Sequence, residues 1–306
     1  MFFVIINVMK KIGILRGGNG EHYENSLKKG GDFLSYVLEN FKDKYKPIDI
    51  FIDKNDIWHV NGLPIKPADL IHKVDLVWNL SHPKYGQIIK NLSIPHIGSN
   101  HFSSTLSQSR EMLEKHMQKL GVKMPRHLIL PIYQEDFDGP IERYAIKKAK
   151  EVHEKFSSPW IVKSLIANSN IGIHVAETFP ELILAIQDVL DQKESILVEE
   201  LISGKNAFMH TVSDFRGEDV YTFPLGKYSK EEKEKLNDIT KKLHKHIGAS
   251  HYLKSNFVLN PTRGIFLTSV EFHPDLEKDS HLHKTCKSVG AEIHQVVDHL
   301  IESNLK

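Results

Sequence analysis

The sequence predicts a mixed α/β and α+β protein, with a doubly wound parallel sheet at the N-terminal end. Three observations carry this. Short apolar runs at Ile12–Leu15, Ile48–Ile52, Val74–Asn79 and Ile94–Ile97 alternate with segments of helical periodicity, the pattern of a parallel sheet with crossover helices. From about residue 157 the order changes to paired apolar runs with helices beside them. The 306 residues, 40% hydrophobic and 26% charged, suffice for two or three compact domains.

The first run stops at Arg16-Gly17-Gly18-Asn19-Gly20. Ser26 then reads as the cap of a helix that carries Leu27, Phe33, Leu34, Val37, Leu38 and Phe41 on one face. Ile48–Ile52 is the second strand, Asp69–His72 a helical turn, Val74–Asn79 the third strand and Ile94–Ile97 the fourth. Ligands of such sheets sit at the carboxyl ends of the strands, which places Gly17, Gly18 and Asn79-Leu80-Ser81-His82 on the functional edge. Ser107–Leu120 reads as a helix ended by Gly121 to Pro125, and Tyr133–Gly139 as a loop. Ile141–Phe156 is a charged helix, Trp160–Lys163 and His174–Ala176 pair as strands, and Pro180–Leu190 is a helix over them. Ile196–Glu200 and Phe208–Ser213 extend that sheet in this reading. Asp219–Phe223 is a strand, Lys230–Ile247 a charged helix, and Phe257–Leu259 and Ile265–Phe272 strands around the Pro261–Gly264 turn. His283–Glu302 reads as one amphipathic helix.

Composition narrows the function classes. The formal net charge of +1 implies no general attraction to nucleic acid or to an anionic membrane. The 19 histidines are scattered, without a spacing such as H-E-x-x-H. Cys286, the one cysteine, cannot form an intrachain disulfide and fits a reducing compartment. Met1–Val8 is apolar but too short to span a bilayer, and it lacks a basic n-region. Met9 reads as a second start ahead of the first strand. The expectation is a soluble, cytoplasmic protein acting on small molecules.

The chemistry centres on two stretches. Ile161–Gly172 reads as a strand carrying Lys163 into a turn of small residues, and Ile196–Gly204 as a strand ending in Glu199 and Glu200. A strand lysine holds phosphate as a point charge, and backbone N–H groups of a flexible turn can close over the same anion. The strand end after Glu199 and Glu200 could offer backbone groups to an adenine edge. The same stretches also fit a buried hairpin pair with one surface lysine.

Taken in order, several motifs resemble a known family. They are Gly17-Gly18 followed by Glu21-His22 and Ser26-Leu27, then Ile97-Gly98-Ser99, Val162-Lys163 with its small-residue loop, Val198-Glu199-Glu200 with Ser203-Gly204, and Val270-Glu271-Phe272-His273-Pro274. This order resembles the D-alanine–D-alanine ligases of the ATP-grasp superfamily, from about Lys11 to the last helix. The resemblance implies an ATP-grasp fold with an N-terminal pre-ATP-grasp domain. Residues 1–104 would form that domain, and 105–206 and 207–306 would be the two ATP-gripping subdomains. It implies ATP and Mg²⁺ or Mn²⁺ as cofactors, an acyl-phosphate mechanism in peptidoglycan precursor synthesis, and pairing of two copies through the N-terminal domain.

The resemblance also implies site residues. Lys115 and Lys163 correspond to phosphate lysines, and Asn168, Ser169, Asn170 and Gly172 to the loop over the phosphates. Glu199, Glu200 and Ile202 fall at the adenine edge, and Asn206 where the family has a ribose-binding glutamate. Lys227-Tyr228 matches a lysine–tyrosine pair on the covering loop. Gly17 and Gly18 lie beside Glu21 and His22, one or the other of which matches the residue that meets the first substrate's amine, and Ser280-His281-Leu282 matches the segment that meets the second substrate. Glu271, Asn256 and His273 fall at the metal positions, and Lys254 where an arginine steadies the reacting carboxyl.

The chain departs from that pattern at several of these positions. Asn256 replaces an aspartate and His273 an asparagine, so one metal carboxylate remains, whereas magnesium prefers carboxylate and phosphate oxygens. Lys254 keeps the charge of arginine but not its two-pronged geometry. The loop after Tyr228 is short for the family, and a glycine expected near Pro274-Asp275 is missing. These departures leave three readings: a D-alanyl-D-alanine ligase, a ligase for another carboxylate and amine, or a nucleotide-binding protein without catalysis.

Overall fold

Apolar β-branched runs next to glycine turns form the strands that organise the N-terminal part. The computed structural model describes residues 9–19, 23–99, 101–133, 137–165, 172–191, 195–224 and 226–305. Contacts divide the chain into two units: residues 1–116, 208–256 and 269–306, and residues 117–207 with 257–268.

In the first unit, β1 (Lys10–Gly17) lies between β2 (Tyr45–Ile52) and β5 (Leu76–Asn79), parallel to both, and β6 (His96–Ile97) runs parallel on the far side of β5. The doubly wound parallel sheet is therefore present. Two short strands, β3 (Trp58–Val60) and β4 (Leu63–Ile65), add an antiparallel edge, giving the order β4-β3-β2-β1-β5-β6. The expected turn at 69–72 is a 3₁₀ helix over Pro67–His72.

Helix α1 (Tyr23–Asn40) begins three residues before the expected cap. Ser26 lies inside it, and its hydroxyl donates to the Leu80 carbonyl and accepts from the Gly17 N–H, both at 2.9 Å. It ties the ends of β1 and β5 together instead of capping a helix. Phe33 and Val37 are buried as expected, whereas Leu38 faces solvent. Helix α2 covers Pro83–Asn91. The helix expected over 107–120 is two, α3 (His101–Gln108) and α4 (Arg110–Lys119), with the Ser109 hydroxyl accepting from the Met112 N–H.

In the second unit, β7 (His127–Leu130), β8 (Trp160–Ser164), β9 (His174–Ala176) and β10 (Ile196–Glu200) form an antiparallel sheet ordered β7-β10-β8-β9. Helices α5 (Ile141–Lys155) and α6 (Phe179–Leu190) cover one face, with Trp160, Val162, Ile196 and Val198 in the shared core.

A third sheet runs β12 (Glu218–Thr222), β11 (Lys205–Phe215), β13 (Tyr252–Asn260) and β14 (Gly264–Glu271). Residues 208–213 thus belong here and not to the β7–β10 sheet, because the 201–204 segment carries the chain out of it. Strand β13 starts five residues before the expected Phe257, since Lys254 and Asn256 interrupt the apolar run without ending the strand. Helix α7 (Lys230–His246) is capped by Ser229 and Glu232 acting reciprocally. The last helix is also two, α8 (His281–Ser288) and α9 (Ile293–Asn304). Gly290, at φ 64°, makes the stop between them. Within the first unit, α8 and α9 share one core with β1, β5 and α1.

Candidate functional site

On β8 the side chains alternate. Trp160 and Val162 enter the core, while Ile161 and Lys163 take the other face. Antiparallel β10 places Glu199 opposite Ile161, one diagonal step from Lys163. The Lys163 ammonium meets the buried Glu199 carboxylate at 2.8 Å. An ammonium has three donors, and a buried carboxylate fixes where the others point. The loop residues Asn168, Ser169 and Asn170 lie outside the described residues, and Gly172, where the chain returns, has φ 77°.

Glu200 points the other way and is committed. Arg126 grips it in two-pronged fashion at 3.0 and 3.1 Å, and Arg263 does so at 2.5 and 3.2 Å. Burial alone would raise this carboxyl; the hydrogen bonds from Arg263 and Arg126 outweigh it and bring the pKa down to about 2. The backbone N–H groups of Glu200 and Leu201 bond the carbonyls of Arg126 and Pro159 at 2.8 and 2.9 Å. Of the expected adenine edge, Ile202 follows these committed groups, and its side chain packs with Val258 and Phe266 in a small apolar cluster. Neither arginine was singled out in the sequence, because each lies far along the chain from Glu200.

In the first unit, Lys254 and Asn256 share one face of β13 beside Ser269 and Glu271 of β14. The Lys254 ammonium sits 2.8 Å from Glu271 Oε1. The Asn256 amide donates to Ser269 Oγ at 2.7 Å and towards the same Glu271 oxygen at 3.4 Å. His273 follows β14; burial and the Lys29 charge push its pKa down to about 3, and its Nδ1 has no hydrogen-bond partner among the described residues. A neutral imidazole is a competent metal ligand, but the rest of the set does not fit magnesium. Glu271 is already neutralised by an ammonium, and Asn256 presents donors to it. A further cation about 4 Å from that ammonium would be repelled by about 4 kcal/mol per pair of unit charges at an effective dielectric of 20. Among the described residues, no group of three histidine, cysteine, aspartate or glutamate side chains could hold a metal.

Ser280, His281 and Leu282 open α8 with three different duties. Ser280 caps the helix, accepting from the His283 N–H at 3.2 Å and donating to the Asp275 carbonyl at 3.1 Å. Leu282 is wholly inside the core. His281 is exposed, with its Nδ1 2.8 Å from Nε2 of the buried His210, whose Nδ1 meets the Tyr252 hydroxyl at 2.7 Å. Each neutral imidazole has one N–H and one acceptor nitrogen, so the tautomers of His210 and His281 set which way the protons run along this Tyr252–His210–His281 chain. No local spacing signals this relay, since His210 sits mid-strand among apolar residues.

Gly17 and Gly18 end β1 on the carboxyl edge of the parallel sheet, at φ 83° and 104°. A Cβ on Gly17 would lie 2.2 Å from the Ile52 carbonyl, so only glycine fits. Glu21 and His22 lie outside the described residues. Next to the glycines, Asp56 bonds the Asn19 amide and the Tyr85 hydroxyl, Lys84 bonds Asn19, and the Asn19 N–H reaches the Tyr85 oxygen at 3.0 Å. The Tyr85 hydrogen bond and the Lys84 charge hold the Asp56 carboxyl below its usual range. This ring went unnoticed in the sequence; Lys84 and Tyr85, just beyond His82-Pro83, were its only local signal.

The remaining expected residues are more dispersed. Lys115 is exposed on α4, and Asn206 is exposed on β11. Lys227 is exposed and Tyr228 half-buried just ahead of α7. Burial and the Glu232 charge raise the Tyr228 hydroxyl pKa.

Comparison with known proteins bears on this geometry. Residues 119–221 match the family model described as D-ala D-ala ligase C-terminus. A D-alanine–D-alanine ligase of Aquifex aeolicus is 24% identical over 95% of this chain and 99% of that protein. One of Fervidobacterium nodosum is 22% identical over 95% and 98%. Among solved structures, the VanG D-Ala:D-Ser ligase of Enterococcus faecalis superposes with a TM-score of 0.70 at 20% identity, covering 96% of this chain and 99% of that one. The D-alanine–D-alanine ligase of Bacillus anthracis complexed with ATP gives 0.70 at 21%, covering 97% of each. No helix among the described residues is long and apolar enough to cross a membrane. With its mixed parallel and antiparallel sheets, the chain shares the fold of these D-alanine–D-alanine ligases and is similar to them in sequence along nearly its whole length.

Proposed function

We propose that this chain is an ATP-dependent carboxylate–amine ligase that joins D-alanine to a second D-alanine or a close amino acid. The carrying observation is the Lys163–Glu199 pair at 2.8 Å. It presents a fixed ammonium on the strand face from which relatives of this type are expected to hold phosphates. Lys163 takes the α- and β-phosphates, Lys115 assists, and Asn168, Ser169 and Asn170 close over them. Ile202 and the Glu199 edge take the adenine, and Asn206 the ribose. The substrate carboxylate attacks the γ-phosphorus, giving an acyl phosphate and ADP; the second amine attacks the acyl carbon, and phosphate leaves. Lys254 steadies the reacting carboxyl, and Lys227 and Tyr228 cover it. Glu21, His22, Gly17 and Gly18 hold the first amino acid, and His281 faces the second. Mg²⁺ or Mn²⁺ enters this reading with the triphosphate. Glu271, held by the Lys254 ammonium, and Asn256 and His273 do not fit as its protein ligands.

The wider setting follows from the same reading: residues 1–104 serve the substrate side, 105–206 and 207–306 the nucleotide, in a cytoplasmic homodimer supplying peptidoglycan precursors. A second reading, a nucleotide-binding protein without turnover, is favoured by the Lys254–Glu271 pair. A phosphate-release assay separates the two. With ATP, magnesium or manganese, and D-alanine, the ligase reading expects amino-acid-dependent release of ADP and phosphate. No release above background with any amino acid, despite ATP binding, selects the second.

A further inference from the structure

Resting on the nucleotide reading above, we infer that Lys254, seated on Glu271, takes a phosphate oxygen of a nucleoside triphosphate directly and replaces a protein-bound divalent cation. Three observations place a cation where the acidic set would otherwise seat a metal. The ammonium is 2.8 Å from Glu271 Oε1. Asn256 turns its amide N–H towards that same oxygen and towards Ser269, so the neighbouring position supplies donors and no second negative charge. Lys254 is only partly exposed, and its charge is felt by His210 and His281, so the ammonium also borders the relay that ends at the exposed His281.

A metal site and this cluster perform the same electrostatic task by different means. In a two-carboxylate site, acidic side chains gather a divalent ion, and the ion binds phosphate. Here one carboxylate orients one ammonium, which binds phosphate as a point charge. The cluster is selective for anions and repels free divalent ions, whereas an acidic pair does the opposite. Lys254 also has donors beyond the one directed at Glu271, which a phosphate oxygen can accept.

Calorimetric titration of the full-length chain with ATP, in EDTA and in magnesium buffer, tests this, alongside Mn²⁺ titration without nucleotide followed by electron paramagnetic resonance. The expected result is an ATP Kd in EDTA within about threefold of that in magnesium, and no protein-bound Mn²⁺ at millimolar ion. The Lys254→Met/Asn256→Asp variant should gain Mn²⁺ binding and lose about tenfold or more in EDTA affinity. Asn256→Asp alone should gain Mn²⁺ binding more weakly, and it serves if the double variant does not fold. ATP binding that weakens about tenfold or more in EDTA, or Mn²⁺ binding by the wild type, overturns the inference and leaves the nucleotide reading standing. No ATP binding in either buffer overturns both.

Discussion

Two lysine–glutamate pairs, one in each unit, have the same 2.8 Å separation and opposite surroundings. In the Lys163–Glu199 pair the carboxylate is 5% exposed and the lysine 25%; in the Lys254–Glu271 pair the carboxylate is 43% exposed and the lysine 19%. In the first, the acid is buried and the base reaches outward. The structure needs that ammonium, because a buried carboxylate without a counter-charge is costly. In the second, the acid is half in water and stays solvated without its partner. The first pair is therefore tied to the stability of its unit, whereas the second is cheap to rearrange. A fold can exchange an acidic metal position for an internal ammonium at the second kind of place with little loss of stability.

The largest expected effect is at the buried pair. Lys163→Met should cost about 3–5 kcal/mol of stability, measured by urea unfolding, because it takes the ammonium away from the buried Glu199 carboxylate. A loss below about 1 kcal/mol would mean that water or another group replaces the ammonium, and the contrast between the pairs would disappear.

Acid should separate the units next. Among the described residues, the histidines with lowered pKa, His96, His210, His244, His251, His273 and His281, all belong to the first unit. Burial pushes His244 and His251 down to about 4, against about 6.5 in an unfolded chain. As pH falls, the unfolded chain takes up these protons first. Stability is therefore full above about 6.5, declines as pH falls towards 4, and loses nothing further from these rings below that. At pH 5 each of the two rings should cost about 2 kcal/mol. Hydrogen exchange at pH 7.5 and pH 5 should show β11 and β13 losing protection while β8 and β10 keep theirs; a uniform change would contradict the account.

The smallest effect is at the exposed pair. Lys254→Met should change stability by less than about 1 kcal/mol in urea unfolding, the range of a solvent-screened ion pair. A loss near that of Lys163→Met would show that Glu271 depends on its partner as much as Glu199 does.

How much of this was legible in the sequence follows a physical line. β1, β2, β5, α5 and α6 were readable because their apolar periodicity comes from burial against a neighbouring layer. β3, β4 and β7 went unread, although β5 and β9 are as short and were named, so length alone does not decide what registers. Ser26 was misread because the same hydroxyl that caps a helix can also tie two strand ends, and only the tertiary position of Leu80 decides which. Lys163, Glu199 and Glu271 were named from motif order, and the strand neighbours put acid beside base at both places. That Lys254 neutralises Glu271, that two arginines hold Glu200, and that Tyr252 and His210 orient His281 depend on contacts between distant segments, which no local spacing encodes.

The most direct test of the central claim, that Lys163 holds a nucleotide phosphate, is an ATP titration of the wild type against Lys163→Met, or against Lys163→Gln if the first does not fold. The account predicts ATP binding by the wild type and an affinity at least about tenfold weaker in the variant. Equal affinity in the two, or no binding by the wild type, would contradict it.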